Sequence, residues 1–261
     1  MSTTEADRQV ARTPADLLPD PLAAPQRVAH EATVGRGEAL RRGRLLEAII
    51  GGGIVGFGAL LAVVDAKRSA ALDLRATRAL QRLKGRHVVE AMRLASWPGF
   101  PPQSRVIPPS IVAGWFLLGF PIEAAGQLLA WGSAVLATAA KHVANRERPV
   151  APQVEVVLAP LGGTSFPSGH VLTYVGTYGF LAYLLATRVR EPGHRAFALT
   201  LPVGLIALVG PSRIHQGHHW LTDVLASYLL GTAYVAGLVI LYRRMLERWA
   251  PGRDDRRGDR C

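Results

Sequence analysis

The sequence predicts an all-α fold, a six-transmembrane-helix bundle with an interfacial amphipathic helical segment between spans one and two. Three observations predict it. The 261 residues carry a formal net charge of +11, yet 49% of them are hydrophobic and the mean hydropathy is +0.18. A chain that is both this basic and this apolar must segregate the two properties. It does so: the apolar residues fall in long blocks, several near the length that crosses a hydrocarbon core, and most of the charge lies between and outside them. Cys261 is the one cysteine, which excludes an intrachain disulfide or a cysteine-rich metal site and leaves helix packing to supply stability. The 27 glycines and 18 prolines follow no period and no heptad pattern persists, so collagen-like, low-complexity and coiled-coil classes are excluded as well.

Residues 1–44 are polar and hold four prolines, with no apolar run that could serve as a signal-peptide core. They read as a disordered cytoplasmic tail. Residues 45–64 contain one ionisable group, Glu47, and form the first span; Gly51, Gly52, Gly53, Gly56 and Gly58 would allow another helix to approach closely in lipid. From 65 to 105 the chain is basic, and Leu72, Ala76, Leu80 and Leu83 recur at helical spacing between Arg75, Arg78, Arg82 and Lys84. That pattern suits a helix on the membrane surface, or one packed on the bundle with its charges in water. Residues 106–140 are apolar apart from Glu123 and Gln127 and are interrupted at Gly119-Phe120-Pro121, which predicts a tight hairpin supplying spans two and three. Spans four, five and six follow at 169–186, 196–209 and 221–242. The membrane domain is thus expected over 45–245, with 246–261 a basic cytoplasmic tail.

Lys and Arg orient the bundle. The amino tail, the short loop at 188–195 and the carboxyl tail together hold 17, against 13 in the remaining connections, so the tails are expected inside. With six spans, the connections after spans three and five then open together on the outer side. Those two connections carry the residues with chemical potential.

Three segments stand out. Lys141-His142-Val143-Ala144-Asn145-Arg146-Glu147-Arg148-Pro149 leaves span three, Ser165-Phe166-Pro167-Ser168-Gly169-His170 enters span four, and 212–223 bridges spans five and six. Cations near a bilayer are costly without an anionic partner. Lys141, Arg148 and Arg213 can surround a tetrahedral oxyanion, the arginines as forks and the lysine as a point charge. Ser168 occupies an N-cap position, so its hydroxyl and the free N–H groups from Gly169 onward would face the same anion. His219 and Asp223 are spaced i, i+4, which on a helix lets the carboxylate hold one ring nitrogen and leaves the other as a nucleophile. His170 is placed to donate a proton to a leaving oxygen. His142, His215 and His218 read as scaffolding. A metal cluster of His215, His218, His219 and Asp223 is the rival chemical reading, but it leaves three converging cations unexplained.

Lys141 with Arg148-Pro149, then Pro167-Ser168-Gly169-His170, then Ser212-Arg213 with His219 and Asp223, resembles the three-part signature of the type 2 phosphatidic acid phosphatase (PAP2) superfamily. The resemblance rests on residues 141–223 and extends more loosely, through span order, to 45–242. It implies that Lys141, Arg148, Ser168, Gly169 and Arg213 bind a phosphoryl group, that His219 attacks phosphorus to give a phosphohistidine, that Asp223 orients it, and that His170 protonates the leaving group. Arg146 matches a second arginine often seen in the first motif, and His218 stands where the family is more often apolar. The implied activity is a metal-independent, cofactor-free membrane phosphatase acting on a lipid phosphate or prenyl diphosphate at the outer face. Two other readings are a vanadate-dependent haloperoxidase-like enzyme and a non-catalytic protein that binds or transports anionic lipid. Membrane lipids are the expected surroundings; nucleic acid is not an expected partner, because the arginine clusters lie beside apolar spans and have no interleaved aromatic platform.

Overall fold

The computed structural model describes residues 36–157 and 162–249. Among them the regular structure is helical, with no strand. Helix α1 is Arg36–Asp65, α2 Ala70–Gln81 and α3 Arg86–Ser96; after a 3-10 turn at Trp97–Gly99 come α4 Gln103–Leu117, α5 Pro121–Trp131 and α6 Ser133–Ala140. A long connection leads to α7 Gly169–Arg188, then α8 Pro192–His215 and α9 Leu221–Trp249. The expected amino-terminal tail falls mostly outside the described residues, but its last part does not: α1 starts at Arg36, ahead of the boundary expected at 45. The carboxyl tail beyond 249 lies outside the described residues.

The hairpin forms where the sequence breaks. Gly119 takes a left-handed φ of 81° just after α4, the N–H of Phe120 returns to the Trp115 carbonyl at 2.9 Å, and Pro121 opens α5 at a position where its missing N–H costs nothing. The second arm is not one helix. At Gly132 the backbone turns so tightly that a β-carbon there would lie 2.8 Å from the Leu129 carbonyl oxygen, and α6 begins afresh.

Helix α7 is the spine of the bundle, packed against α5, α6, α8 and α9. Val171, Tyr174, Val175 and Tyr178 meet Val209, Ile214 and Val224 near one end; Phe180 and Leu184 meet Trp115, Phe120 and Tyr242 near the other. Helix α1 lies along α9 through two of its five expected glycines. A β-carbon on Gly53 would fall 2.8 Å from Ala233 Cβ, and one on Gly56 2.9 Å from Leu229 Cδ1, whereas Gly51, Gly52 and Gly58 face open space.

Among the described residues, three helical stretches are long and apolar enough to cross a membrane: Gly43–Asp65, Pro192–His215 and Leu221–Arg248. The count of six is not met on that measure. Helix α7 has 20 residues, but its histidine, tyrosines and threonines dilute its apolarity, and α4, α5 and α6 have 15, 11 and 8 residues. The outer surface is nonetheless strongly apolar, with Val55, Leu117, Val135, Phe197 and Leu201 all exposed. Such a surface suits lipid rather than water.

Helix α2 reverses the expected polarity of the amphipathic segment. Its buried stripe is Asp73, Thr77 and Gln81, one helical turn apart, while Leu72 and Leu83 are exposed. A polar stripe is buried because α2 docks on polar groups of the site, while Leu80 of the same helix packs against the core cluster of Val171 and Ile214.

Candidate functional site

The three segments of the sequence motif converge at the amino end of α7. Lys141 caps α6, and its Nζ donates to the Thr164 carbonyl at 3.0 Å; its Cε lies 3.8 Å from where a β-carbon on Gly169 would stand. The lysine stem thus lies in van der Waals reach of the start of α7. Arg148 donates to the carbonyls of Gly162 and Gly163 at 3.2 Å each, Thr164 at 3.2 Å and His218 at 2.9 Å. Burial, and then the charge of Arg148, holds Lys141 below the usual lysine pKa.

Arg213 arrives from the last turn of α8 and is fully buried. It donates to Gln216 Oε1 at 3.0 Å and to the Nδ1 of His218, and its guanidinium lies over the Phe100 ring, 5.0 Å from the centroid. His170, in the first turn of α7, meets the same Phe100 ring edge-on at 4.8 Å. The backbone at Gly99 presses on the His170 ring so closely that any β-carbon there would overlap it. Ser168 is the N-cap residue of α7, but its hydroxyl makes no capping bond. Its Oγ, His170 Nε2 and Arg213 Nε are buried and have no hydrogen-bond partner, three of the unpartnered buried side-chain atoms among the described residues; Gln127 Oε1, Ser133 Oγ and Thr177 Oγ1 lie farther along the bundle.

His219 is buried in the turn ahead of α9. Its Nδ1 lies 2.8 Å from the Ser165 carbonyl and 3.6 Å from Asp223 Oδ2, and its Nε2 faces Arg148 Nη1 at 3.4 Å. This corrects the expected helical pairing. α9 begins only at Leu221, so His219 stands before the helix and its ring reaches the 165 loop; the nearer acceptor is a backbone carbonyl, with the carboxylate behind it. The proton placed on Nδ1 by that carbonyl leaves the Nε2 lone pair facing Arg148 Nη1 across a long contact of 3.4 Å. Burial lowers the His219 pKa to about 4, with Arg213 and Arg148 adding to the fall and Asp223 opposing it. The ring is neutral at ordinary pH.

His218 is distinguished from its neighbour by its contacts. Its Nδ1 takes a hydrogen bond from Arg213 and its Nε2 donates to the Val157 carbonyl at 2.6 Å, so neither nitrogen is free. His215 likewise holds the Leu83 carbonyl at 3.2 Å, and His142 is exposed. Among the described residues, no three His, Cys, Asp or Glu side chains gather as metal ligands would.

Arg146 does not join the cage. Its Nη1 lies 2.5 Å from Asp223 Oδ1 and its Nη2 2.5 Å from Asp73 Oδ2, with Thr222 Oγ1 at 2.7 Å and Ser69 Oγ at 3.1 Å. Asp73 is the residue missed in the sequence; the signal that could have found it is the polar stripe Asp73, Thr77, Gln81. A cavity of about 350 Å³ opens beside the site, bounded by Lys141, Gly169 and His170 and continuing along α7 past Tyr174 and Tyr178.

An all-helical bundle that gathers these three segments at one helix start defines a class. The PAP2 superfamily model matches residues 123–247 of this chain, the stretch that carries all three segments. Phosphatidylglycerophosphatase B of Bacillus subtilis (strain 168) is 38% identical over 68 residues, which are 26% of this chain and 34% of that protein. The chain thus matches about a third of that relative's length. The crystal structure of a transmembrane PAP2-type phosphatidylglycerolphosphate phosphatase from Bacillus subtilis aligns with a TM-score of 0.64 at 24% identity, covering 77% of this chain and 98% of that one. That of Aquifex aeolicus LpxE aligns with a TM-score of 0.48 at 21% identity, covering 68% and 96%.

Proposed function

We propose that this chain is an integral membrane lipid phosphatase that cleaves a phosphate ester or diphosphate through a phosphohistidine, without a metal. The observation that carries the reading is the His219 imidazole: neutral, with Nδ1 committed to a carbonyl and Nε2 turned to the Arg148 guanidinium. A lone pair aimed among cations is the arrangement for attack on a bound phosphorus.

In this reading Lys141, Arg148, Arg213, the Ser168 hydroxyl and the N–H of Gly169 hold the phosphoryl oxygens. Phosphoryl transfer has a loose transition state with charge spread over those oxygens, so positioning and electrostatics supply most of the acceleration. His219 Nε2 forms the N–P bond as the P–O bond to the lipid breaks, and His170 gives its proton to the departing oxygen. Asp223 steadies the ring as it becomes cationic. Water then attacks the phosphohistidine, returning its proton to His170 and releasing phosphate.

The chain crosses the bilayer six times, with α4 and the α5–α6 arm as the second and third crossings and the site at the outer face. The lipid tail stays in the membrane, beside the cavity along α7. The similarity to a phosphatidylglycerophosphatase favours an anionic glycerophospholipid phosphate as substrate.

The test is phosphate release from lipid phosphates and prenyl diphosphates in detergent, with His219→Ala as control and excess chelator in a parallel arm. The expected result is release that survives the chelator and vanishes in the variant. Halide oxidation on adding vanadate, or lipid binding with no release from any substrate, would replace the phosphatase reading.

A further inference from the structure

Asp73 lies on α2, outside all three motif segments, yet it is buried to 1% exposure, close to Asp223 and Arg213 at 0%. Its Oδ2 receives Arg146 Nη2 at 2.5 Å, and its Oδ1 accepts the backbone N–H of Thr222 at 2.9 Å. The Thr222 hydroxyl adds contacts at 3.1 and 3.0 Å. Thr222 is in the first turn of α9, where backbone N–H groups have no partner within the helix, so Asp73 caps α9 from another helix. Its neighbour Asp223 accepts the Trp220 N–H at 2.8 Å with one oxygen and takes the other arm of Arg146 with its second. One half-buried guanidinium is therefore forked between two buried carboxylates, and one of those carboxylates stands behind the His219 ring.

We propose that Asp73 is a positioning residue for the reaction: through Arg146 and Thr222 it fixes the Asp223 carboxylate where that carboxylate can steady the His219 imidazole. The inference rests on the reading of His219 as nucleophile. Its physical content is charge balance and geometry together. With both carboxylates present, Arg146 is pulled equally from two sides and the first turn of α9 is pinned. With Asp73 neutral, the guanidinium has Asp223 as its sole anionic partner and draws it from the ring, while the Thr222 N–H holds a weaker acceptor. The cluster also gains one net positive charge next to an imidazole that must itself become cationic during attack. The loss then appears in the chemical step and not in substrate binding, because Asp73 touches none of the groups assigned to the phosphoryl cage.

A residue that only fastened α2 to α9 would lower the amount of folded protein without coupling to Asp223. The experiment is a double-mutant cycle of Asp73→Asn with Asp223→Asn, assayed for phosphate release by folded protein in detergent. Asp73→Asn is expected to lower kcat by about 10- to 100-fold, the span of coupling between residues of one network, with KM held within about twofold. In the Asp223→Asn background the same change is expected to cost less than about threefold. Should Asp73→Asn fail to purify folded, Arg146→Lys, which keeps the charge but cannot fork between two carboxylates, takes its place with the same expectation. Losses that multiply, or a change in KM alone, overturn the positioning role in an enzyme whose activity still depends on His219. A wild-type chain that releases no phosphate, or an active His219→Ala, overturns the nucleophile and this role with it.

Discussion

His218 and His219 are adjacent, both buried, and chemically alike; what separates them is which atoms their rings meet. The sequence left them to be told apart by spacing to Asp223, and spacing presumed a helix that has not yet begun at residue 219. Each ring gives one nitrogen to a backbone carbonyl and faces an arginine with the other; the structure separates them because the Arg213 contact on His218 Nδ1 is short, whereas Arg148 stands 3.4 Å from His219 Nε2. His219→Ala is therefore expected to lower turnover by at least about 10³-fold, measured as phosphate release, because the covalent route is lost with the nucleophile. His218→Asn should leave far more activity, since it disturbs the seat of Arg213 and the contact to the Val157 carbonyl but keeps the His219 ring. Both rings also make stability depend on pH. Burial, and then nearby arginine charge, lowers His218 to about 4, and burial lowers His219 to about 4. An unfolded chain takes up these two protons near the ordinary histidine pKa of about 6.5, while the folded protein refuses them until about pH 4. Across that window the unfolded state binds more protons, so stability falls as pH falls. Thermal unfolding in detergent should show the midpoint dropping from pH 7 to pH 4, and the drop should shrink in His219→Gln; an unchanged slope would mean that the ring is protonated in the folded protein. Asp73 was legible only in part: the polar stripe it forms with Thr77 and Gln81 marks a buried polar face, but its partners Arg146 and Thr222 lie far along the chain and only tertiary packing names them.

At the scale of the element, α7 joins two different environments. Its first turn meets the anion cage, and about 28 Å away, at 1.5 Å per residue, Arg188 ends it inside a buried cluster. There Arg188 donates to Glu123 of α5 and, at 2.9 Å, to the Tyr242 hydroxyl of α9, which itself donates to Glu123 at 2.8 Å. The sequence showed Glu123 only as an exception within an apolar hairpin and Arg188 only as the start of a basic loop; pairing them required knowing that α5 and α7 lie side by side. Removing one partner strands the other's charge in a low-dielectric interior, which costs about 3–5 kcal/mol, whereas replacing both by apolar groups of similar size is often near neutral. Glu123→Leu should accordingly lower the unfolding midpoint sharply, and Glu123→Leu with Arg188→Met should recover most of it. A single variant as stable as wild type would show that Arg188 reaches solvent. At the other end of α7, the 3-10 turn holds His170 by contact alone. Gly99→Ala would push a methyl group into the ring and Tyr174 Cε2, 3.1 Å from the added carbon. Release of poor leaving groups should fall by about 10²-fold, the low end of what a general acid contributes, while good leaving groups, which need no proton, are spared. Element boundaries were legible where the backbone chemistry is local, as at Gly119 and Pro121. They were not legible where a helix is interrupted by packing, as at Gly132.

For the molecule as a whole, the long-range placement of the site follows from helix parity and not from any single contact. Residues 141–157, 162–168 and 216–220 lie together at the amino ends of α7 and α9, whereas 189–191 lies past the opposite end of α7. Hydropathy alone identifies three spanning helices, because the interior helix α7 can carry hydroxyls that a lipid-facing helix cannot, and because the hairpin arms are short and broken. Six crossings with the site outside is thus a topological proposal with a direct measurement. Cys261 is the one native thiol, so Cys261→Ser gives a background in which single cysteines report position. In intact cells, a membrane-impermeant maleimide should label Asn145→Cys, an exposed position in the first motif loop, and should fail to label Glu191→Cys until the membrane is opened. Both positions are exposed, so neither result can come from burial within the protein. Labelling of both in intact cells would break the parity argument, since it would put the two ends of α7 on one side. The reverse pattern would keep six crossings but turn the site inward, and the modest excess of 17 over 13 basic residues would then have misread the orientation.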